Sequence, residues 1–158
     1  MLFKNIGRAF LLLATISGVA LTSCQEDLGD DGKQTTYTIA GEDANGAKER
    51  PPVTTSATGT ISGTYNETTN TLNYTINWTG LSGPVTNMHF HGPADRNTAA
   101  SVAVGIPLPT NPAASGSVTG TATLTDQQEM ELLNELWYYN IHTALNPGGE
   151  IRGQVVAR

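Results

Sequence analysis

Cysteine is almost absent from this chain of 158 residues: Cys24 is the only one. No disulfide can therefore form within it, and hydrophobic burial, with or without a metal ion, must stabilise whatever core it has. Charge is also sparse. Asp, Glu, Lys and Arg make up 14% of the residues, against about 25% in ordinary globular proteins. Fourteen acids outnumber eight basic residues, for a net charge of −6. Nothing in the sequence resembles a basic stripe, so nucleic acid is not an expected partner. Long apolar runs are missing too. The longest, Ala9 to Leu21, falls well short of the ~20 residues that cross a bilayer. Also absent are a nucleophile elbow, a phosphate loop and a zinc-protease helix motif, so hydrolytic and phosphoryl-transfer chemistry find no support.

What is present begins with an export signature. Lys4 and Arg8 precede the apolar run, and Leu21-Thr22-Ser23 leads into Cys24. This is a signal-peptide layout over residues 1–23, and its end resembles a bacterial lipobox. That resemblance implies cleavage before Cys24 and lipidation of its thiol. Several acyl chains hold a protein on a membrane stably, at about 0.8 kcal/mol per buried methylene. Residues 24–34, including Gln25-Glu26-Asp27 and Asp30-Asp31, then read as a flexible acidic tether. An acidic stretch after the cysteine resembles the surface-export signal of Bacteroidetes lipoproteins. The expectation is an outer-membrane lipoprotein on the periplasmic or cell-surface face.

Residues 35–158 have the size of one domain and are dominated by threonine, glycine, valine and tyrosine. In Thr71 to Thr79, Leu72, Tyr74, Ile76 and Trp78 alternate with Asn73, Thr75 and Asn77, the pattern of a half-buried strand. Further strands are expected at Thr36 to Ala40, Ser56 to Tyr65, Thr86 to His91, Ser101 to Pro107, Ser117 to Leu124, Trp137 to Thr143 and Glu150 to Ala157. Turn signals separate them, as in Asn146-Pro147-Gly148-Gly149. About eight strands at this spacing predict an all-β, antiparallel Greek-key β-sandwich. One short helix interrupts it, with Asp126 as N-cap, Glu129 completing a capping box, and Met130, Leu133 and Leu136 as its apolar stripe.

The three histidines fall in two short segments, Met88-His89-Phe90-His91 and Tyr139-Asn140-Ile141-His142. Residues two apart on a strand share a face, so His89 and His91 point one way while Met88 and Phe90 fill the other. His142 shares a face with Tyr138 and Asn140. If the two strands are neighbours, three imidazoles converge, a donor set suited to copper or zinc. Glu49, Asp95 or Glu150 could add a carboxylate or orient a ring. Alternatively the histidines hydrogen-bond to loop backbone and lock the sheet ends without metal. Arg152, on the face of Glu150 and Gln154, is expected to tie to a neighbouring carboxylate.

Four segments carry a resemblance: Glu49-Arg50-Pro51-Pro52-Val53, Gly80-Leu81-Ser82-Gly83-Pro84-Val85, His89-Phe90-His91-Gly92-Pro93-Ala94, and Tyr139-Asn140-Ile141-His142-Thr143 running on to Gln154. In this order they resemble the CHRD domain, named from chordin, across about Tyr37 to Val156. The resemblance implies an extracellular β-sandwich module without a settled biochemical activity, and the expectation is a binding module for a protein or small ligand with no evident catalysis. The His-x-His pair is also similar to the copper ligands of copper/zinc superoxide dismutase. Three histidines cannot supply that enzyme's two-metal set, so only a single-ion site follows.

Overall fold

The alternating segment Thr71–Thr79 is a strand over those same residues, with Leu72, Tyr74, Ile76 and Trp78 all buried. In a computed structural model, which describes residues 35–158, it is the fourth of nine strands. These are β1 (Thr36–Gly41), β2 (Ala44–Asn45), β3 (Thr58–Asn66), β4 (Thr71–Thr79), β5 (Val85–His91), β6 (Val102–Gly105), β7 (Gly116–Thr123), β8 (Tyr138–Thr143) and β9 (Ile151–Ala157). The expected signal segment 1–23, Cys24 and the tether 24–34 lie outside the described residues. No helix among the described residues is long and apolar enough to cross a membrane.

The strands form an antiparallel ladder in the order β6-β5-β8-β9-β1-β3-β4-β7, and β2 bridges β3 and β9. Long connections rather than hairpins link the neighbours β5 and β8, β9 and β1, and β4 and β7, the crossed connectivity of a Greek key. The ladder folds over on itself: Tyr74 of β4 meets Phe90 of β5 edge to face with centroids 5.0 Å apart, although several strands lie between them. Between the two layers sit Ile39, Ile61, Tyr65, Leu72, Ile76, Met88, Tyr139, Ile141, Ile151 and Val155. The architecture is the expected all-β sandwich. The strand beyond the eight expected is β2, which carries too few residues for an alternation to be seen.

The helix, α1 (Asp126–Leu133), is capped one residue earlier than expected. Thr125 is the N-cap, its hydroxyl accepting from the Gln128 N–H while the Gln128 side chain accepts from the Thr125 N–H. Asp126 thus becomes the first helical residue, where its charge favours the positive end of the helix. The expected apolar stripe shifts as well. Leu132 is fully buried and Met130 is 55% exposed. Glu129 and Glu131 turn inward instead, accepting from the Tyr65 hydroxyl and the Trp137 indole.

Strands β8 and β9 differ from the rest in having both faces buried. Tyr139, Ile141, Ile151 and Val155 face the apolar core. The register lines up the opposite face: His89, Asn140 and Arg152 form one row across β5, β8 and β9, and His91, Tyr138 and Gln154 form the next. The loop after β5 covers these polar rows. It leaves β5 through Gly92, which packs on the fully buried Trp137. A Cβ at Gly92 would lie 2.4 Å from Trp137 Cδ1 and 3.1 Å from the Leu136 carbonyl. Gly92→Ala should therefore lower stability by about 1–3 kcal/mol through overpacking. Gly83→Ala, with open space around the new methyl, should change it by less than about 0.5 kcal/mol. Urea unfolding of the two variants measures both.

Candidate functional site

The buried polar face brings the three histidines together. One ring nitrogen from each of His89, His91 and His142 lies within 4.8 Å of the others. His91 and His142 are 8% exposed, whereas His89 is half-buried and opens the cluster toward solvent. The His89 and His91 rings are perpendicular at 5.4 Å, as expected for side chains two residues apart on a strand.

The ring protons are assigned by their partners. His91 Nδ1 lies 2.9 Å from the Ala100 carbonyl and His142 Nδ1 lies 2.9 Å from the Pro147 carbonyl. A carbonyl can only accept, so each ring carries its proton on Nδ1 and, when neutral, a lone pair on Nε2. Those two Nε2 atoms lie 3.0 and 2.9 Å from the same Asn140 Oδ1, itself an acceptor. His89 Nδ1 stands 3.2 Å from His142 Nε2. Three acceptors thus meet, the two Nε2 atoms and Asn140 Oδ1, and His89 Nδ1 either donates to His142 Nε2 or, with its proton on Nε2, adds a fourth lone pair.

Burial pushes the His89 and His142 imidazoles below their ordinary pKa, and the neighbouring histidines add to the shift. For His142 the Pro147 carbonyl pulls partly the other way. Neutral imidazole is the ligating form. Metal-bound histidines commonly donate their second ring N–H to a carbonyl, as His91 and His142 do here. Tetrahedral zinc with ~2.0–2.1 Å bonds holds two nitrogens about 3.3 Å apart, close to the His89–His142 spacing.

Glu49 sits behind this group. Its carboxylate packs against the Asn140 amide and Gly149, so that a Cβ on Gly149 would come within 2.4 Å of Oε1. Glu49 is 4% exposed, and Oε1 has no hydrogen-bond partner among the described residues. Burial pushes its pKa up to about 7, against the opposing pull of the Arg152 charge, the Arg50 backbone N–H and the Asn140 side chain.

The other sequence candidates go elsewhere. Glu150 accepts from the Ser82 N–H and hydroxyl, Thr143 and Thr55. Burial pushes its pKa up, but these bonds outweigh it and hold the carboxyl below its usual range. It fastens the end of the sheet to the Leu81-Ser82 turn. Asp95 caps its own loop, accepting from Asn97 and Thr98. Arg152 binds no carboxylate at ion-pair distance among the described residues. It donates to the Thr98 and Asp95 carbonyls and lies 3.5 Å over the Tyr138 ring. Tyr138 in turn stacks on His91, centroids 4.8 Å apart and planes 3° from parallel. Nothing in the sequence pointed to this His91–Tyr138–Arg152 stack beyond the shared parity of the three positions.

The two kinds of buried titrating group act on stability with opposite sign. His89 and His142 bind protons less readily when folded, so they cost stability as pH falls below about 6.5. Glu49 holds its proton more tightly when folded, so it costs stability as pH rises from 4.5 to about 7. Glu49→Gln should accordingly stabilise the domain at pH 8, by up to roughly 3 kcal/mol, and leave it nearly unchanged at pH 5. Thermal melts at the two pH values check this; an equal shift at both would contradict it.

Comparison with known proteins returned no curated protein and no solved structure that matches. The family model of the CHRD domain matches residues 42–155. That span runs from the end of β1 into β9 and contains the histidine cluster, Asn140, Glu49, Tyr138 and Arg152. By this match over more than half its length, the chain belongs to the CHRD domain family.

Proposed function

We propose that this CHRD domain is an extracytoplasmic binding module that holds one transition-metal ion, zinc or copper, on His89, His91 and His142. One observation carries the reading: the Ala100 and Pro147 carbonyls take the Nδ1 protons of His91 and His142 and leave both Nε2 lone pairs aimed at one point. A cation among these atoms satisfies three acceptors that otherwise oppose one another, and His89, with its proton on Nε2, adds a fourth. Neutral nitrogen donors favour zinc or copper over harder ions, and Asn140 Oδ1 completes the donor set. The open side at His89 leaves room for a ligand from solvent or from a partner. Bound metal would act as a Lewis acid or, with copper, as an electron carrier. The chain's residues hold the His91 and His142 rings in their ligating tautomer, and burial favours the neutral form of His89 and His142.

Lipid on Cys24 is proposed to hold the domain at the outer membrane, on its periplasmic or cell-surface face. The lipobox-like Leu21-Thr22-Ser23-Cys24 and the acidic residues after it support this. The partner is then a protein or a small ligand met outside the cytoplasm, and the net charge of −6 argues against nucleic acid.

Titration of the full chain with zinc and with copper(II) at pH 7.5 should give one equivalent bound, and His91→Ala should weaken binding at least a hundredfold. Unchanged affinity in that variant would overturn the site, and no binding by a folded native chain would leave the histidines as ties between the sheet and its loops. For the anchor, Cys24→Ser should move the protein from the membrane fraction to the soluble fraction of expressing cells. Retention in the membrane fraction would refute it.

A further inference from the structure

We propose that a second, separate cavity, lined by Lys48, Arg50, Arg96, Arg152, Glu42 and Gln154, binds a small hydroxylated carboxylate of the uronic-acid class. This inference does not depend on the metal reading. The sequence has eight basic residues, and four of them line this one cavity of about 200 Å³. A chain of net charge −6 has thus gathered half its positive charge around one small space.

Among the described residues, carboxylates at ion-pair distance reach only two of these four cations, while Glu49 and Asp95 act on Arg152 from further off. Glu42 is shared by Lys48 and Arg96, and Arg96 also reaches Glu135. The two remaining guanidinium groups have no carboxylate at ion-pair distance among the described residues. Arg50 donates to the Ala47, Glu49 and Arg96 carbonyls and to the Asn97 side chain. Arg152, 2% exposed, donates to the Thr98 and Asp95 carbonyls. A buried charge is costly unless it is paired, and backbone carbonyls supply only partial charges. These carbonyl bonds also fix both guanidinium groups in place before any ligand arrives, so little side-chain entropy is lost on binding.

Gln154 supplies the second half of the recognition. Its amide nitrogen is committed to the Ala94 and Glu135 carbonyls, and its buried Oε1 has no partner among the described residues. An orphaned buried acceptor on a residue that lines a cationic cavity can be met by a hydroxyl or N–H donor from the occupant. An anion that also carries hydroxyl groups meets both demands. The volume lies below the ~300–1,000 Å³ of drug-sized sites, which suits one free sugar acid or one acidic unit of a longer glycan.

The test is calorimetric titration of the full chain, at low ionic strength and pH 7.5, with D-galacturonate and D-glucuronate. Glucose serves as the arm without charge and sulfate as the arm without hydroxyls; a tetragalacturonate distinguishes a glycan unit from a free acid. A uronate should bind at one equivalent, at least tenfold more tightly than glucose or sulfate, and should weaken as salt is added. Lys48→Gln and Arg50→Gln, whose side chains are not in the apolar core, should each reduce affinity at least tenfold while the variant still unfolds in one cooperative transition. Arg158→Gln, outside the cavity, should bind as the native chain does. Absence of uronate binding, equal binding of sulfate, or full affinity in both Lys48→Gln and Arg50→Gln would overturn the proposal.

Discussion

Burial of a polar sheet face is the constraint on which the rest of this domain depends. Strands β8 and β9 are covered on both sides, and on the outer side the covered residues are Tyr138, Asn140, His142, Arg152 and Gln154. Leaving such groups without partners costs about 1–3 kcal/mol each, and more for a charge. The cost is offset by bonds to backbone carbonyls: Arg152 to Asp95 and Thr98, Gln154 to Ala94 and Glu135, His91 to Ala100, His142 to Pro147. Each bond serves two ends. It satisfies a buried donor, and it pins an irregular segment that has no sheet ladder of its own. The apolar sandwich builds the scaffold, and this second, polar layer turns loose connections into fixed walls.

The same layer explains how the candidate sites come to be rigid. Loops usually carry function at the expense of order, but here the loop of residues 92–101 is held along its length by side chains rooted in β5, β8 and β9. Tyr138 occupies the middle of the arrangement, with His91 flat on one face and the Arg152 guanidinium over the other. A guanidinium over a desolvated aromatic ring contributes about 2 kcal/mol. The ring also separates His91 from Arg152, so an imidazole and a permanent cation are both buried against one aromatic side chain.

Much of the sandwich was legible in the sequence because one-sided strands leave a two-residue rhythm. Thr71–Thr79 is the plain case: the buried Leu72, Tyr74, Ile76 and Trp78 alternate with polar neighbours, and the strand bounds coincide with the pattern. Parity also put His89 and His91 on one face and His142 with Asn140 on another, and adjacency of β5 and β8 then joined them. What parity cannot carry is anything set by loops. The carbonyls of Ala100 and Pro147, which decide the histidine tautomers, have no side-chain signature. Glu49 and Glu150 looked alike as nearby acids, yet one abuts Asn140 and the other is saturated by hydroxyls at the sheet end. Arg152 had no visible reason to prefer carbonyls to a carboxylate. The helix cap moved by a residue because Thr125 and Asp126 are both good caps, and the packing of Leu132 rather than Met130 decides between them.

One backbone feature bears on how the domain would respond to a mechanical pull. Thr38, near the start of β1, and Arg158, just past β9, exchange both of their backbone hydrogen bonds. In an antiparallel pair these bonds lie across the strands. Drawing the beginning of β1 away from the end of β9 therefore stretches the bonds along their own length and opens them one pair after another, like a zip. Tension applied along β1 alone meets a different arrangement, because β1 lies between β3 and β9 and is bonded to both. The strand then has to slide past two neighbours at once, breaking many bonds together. Held by its leading strand, the domain resists detachment; pulled between its two ends, it gives way at low force.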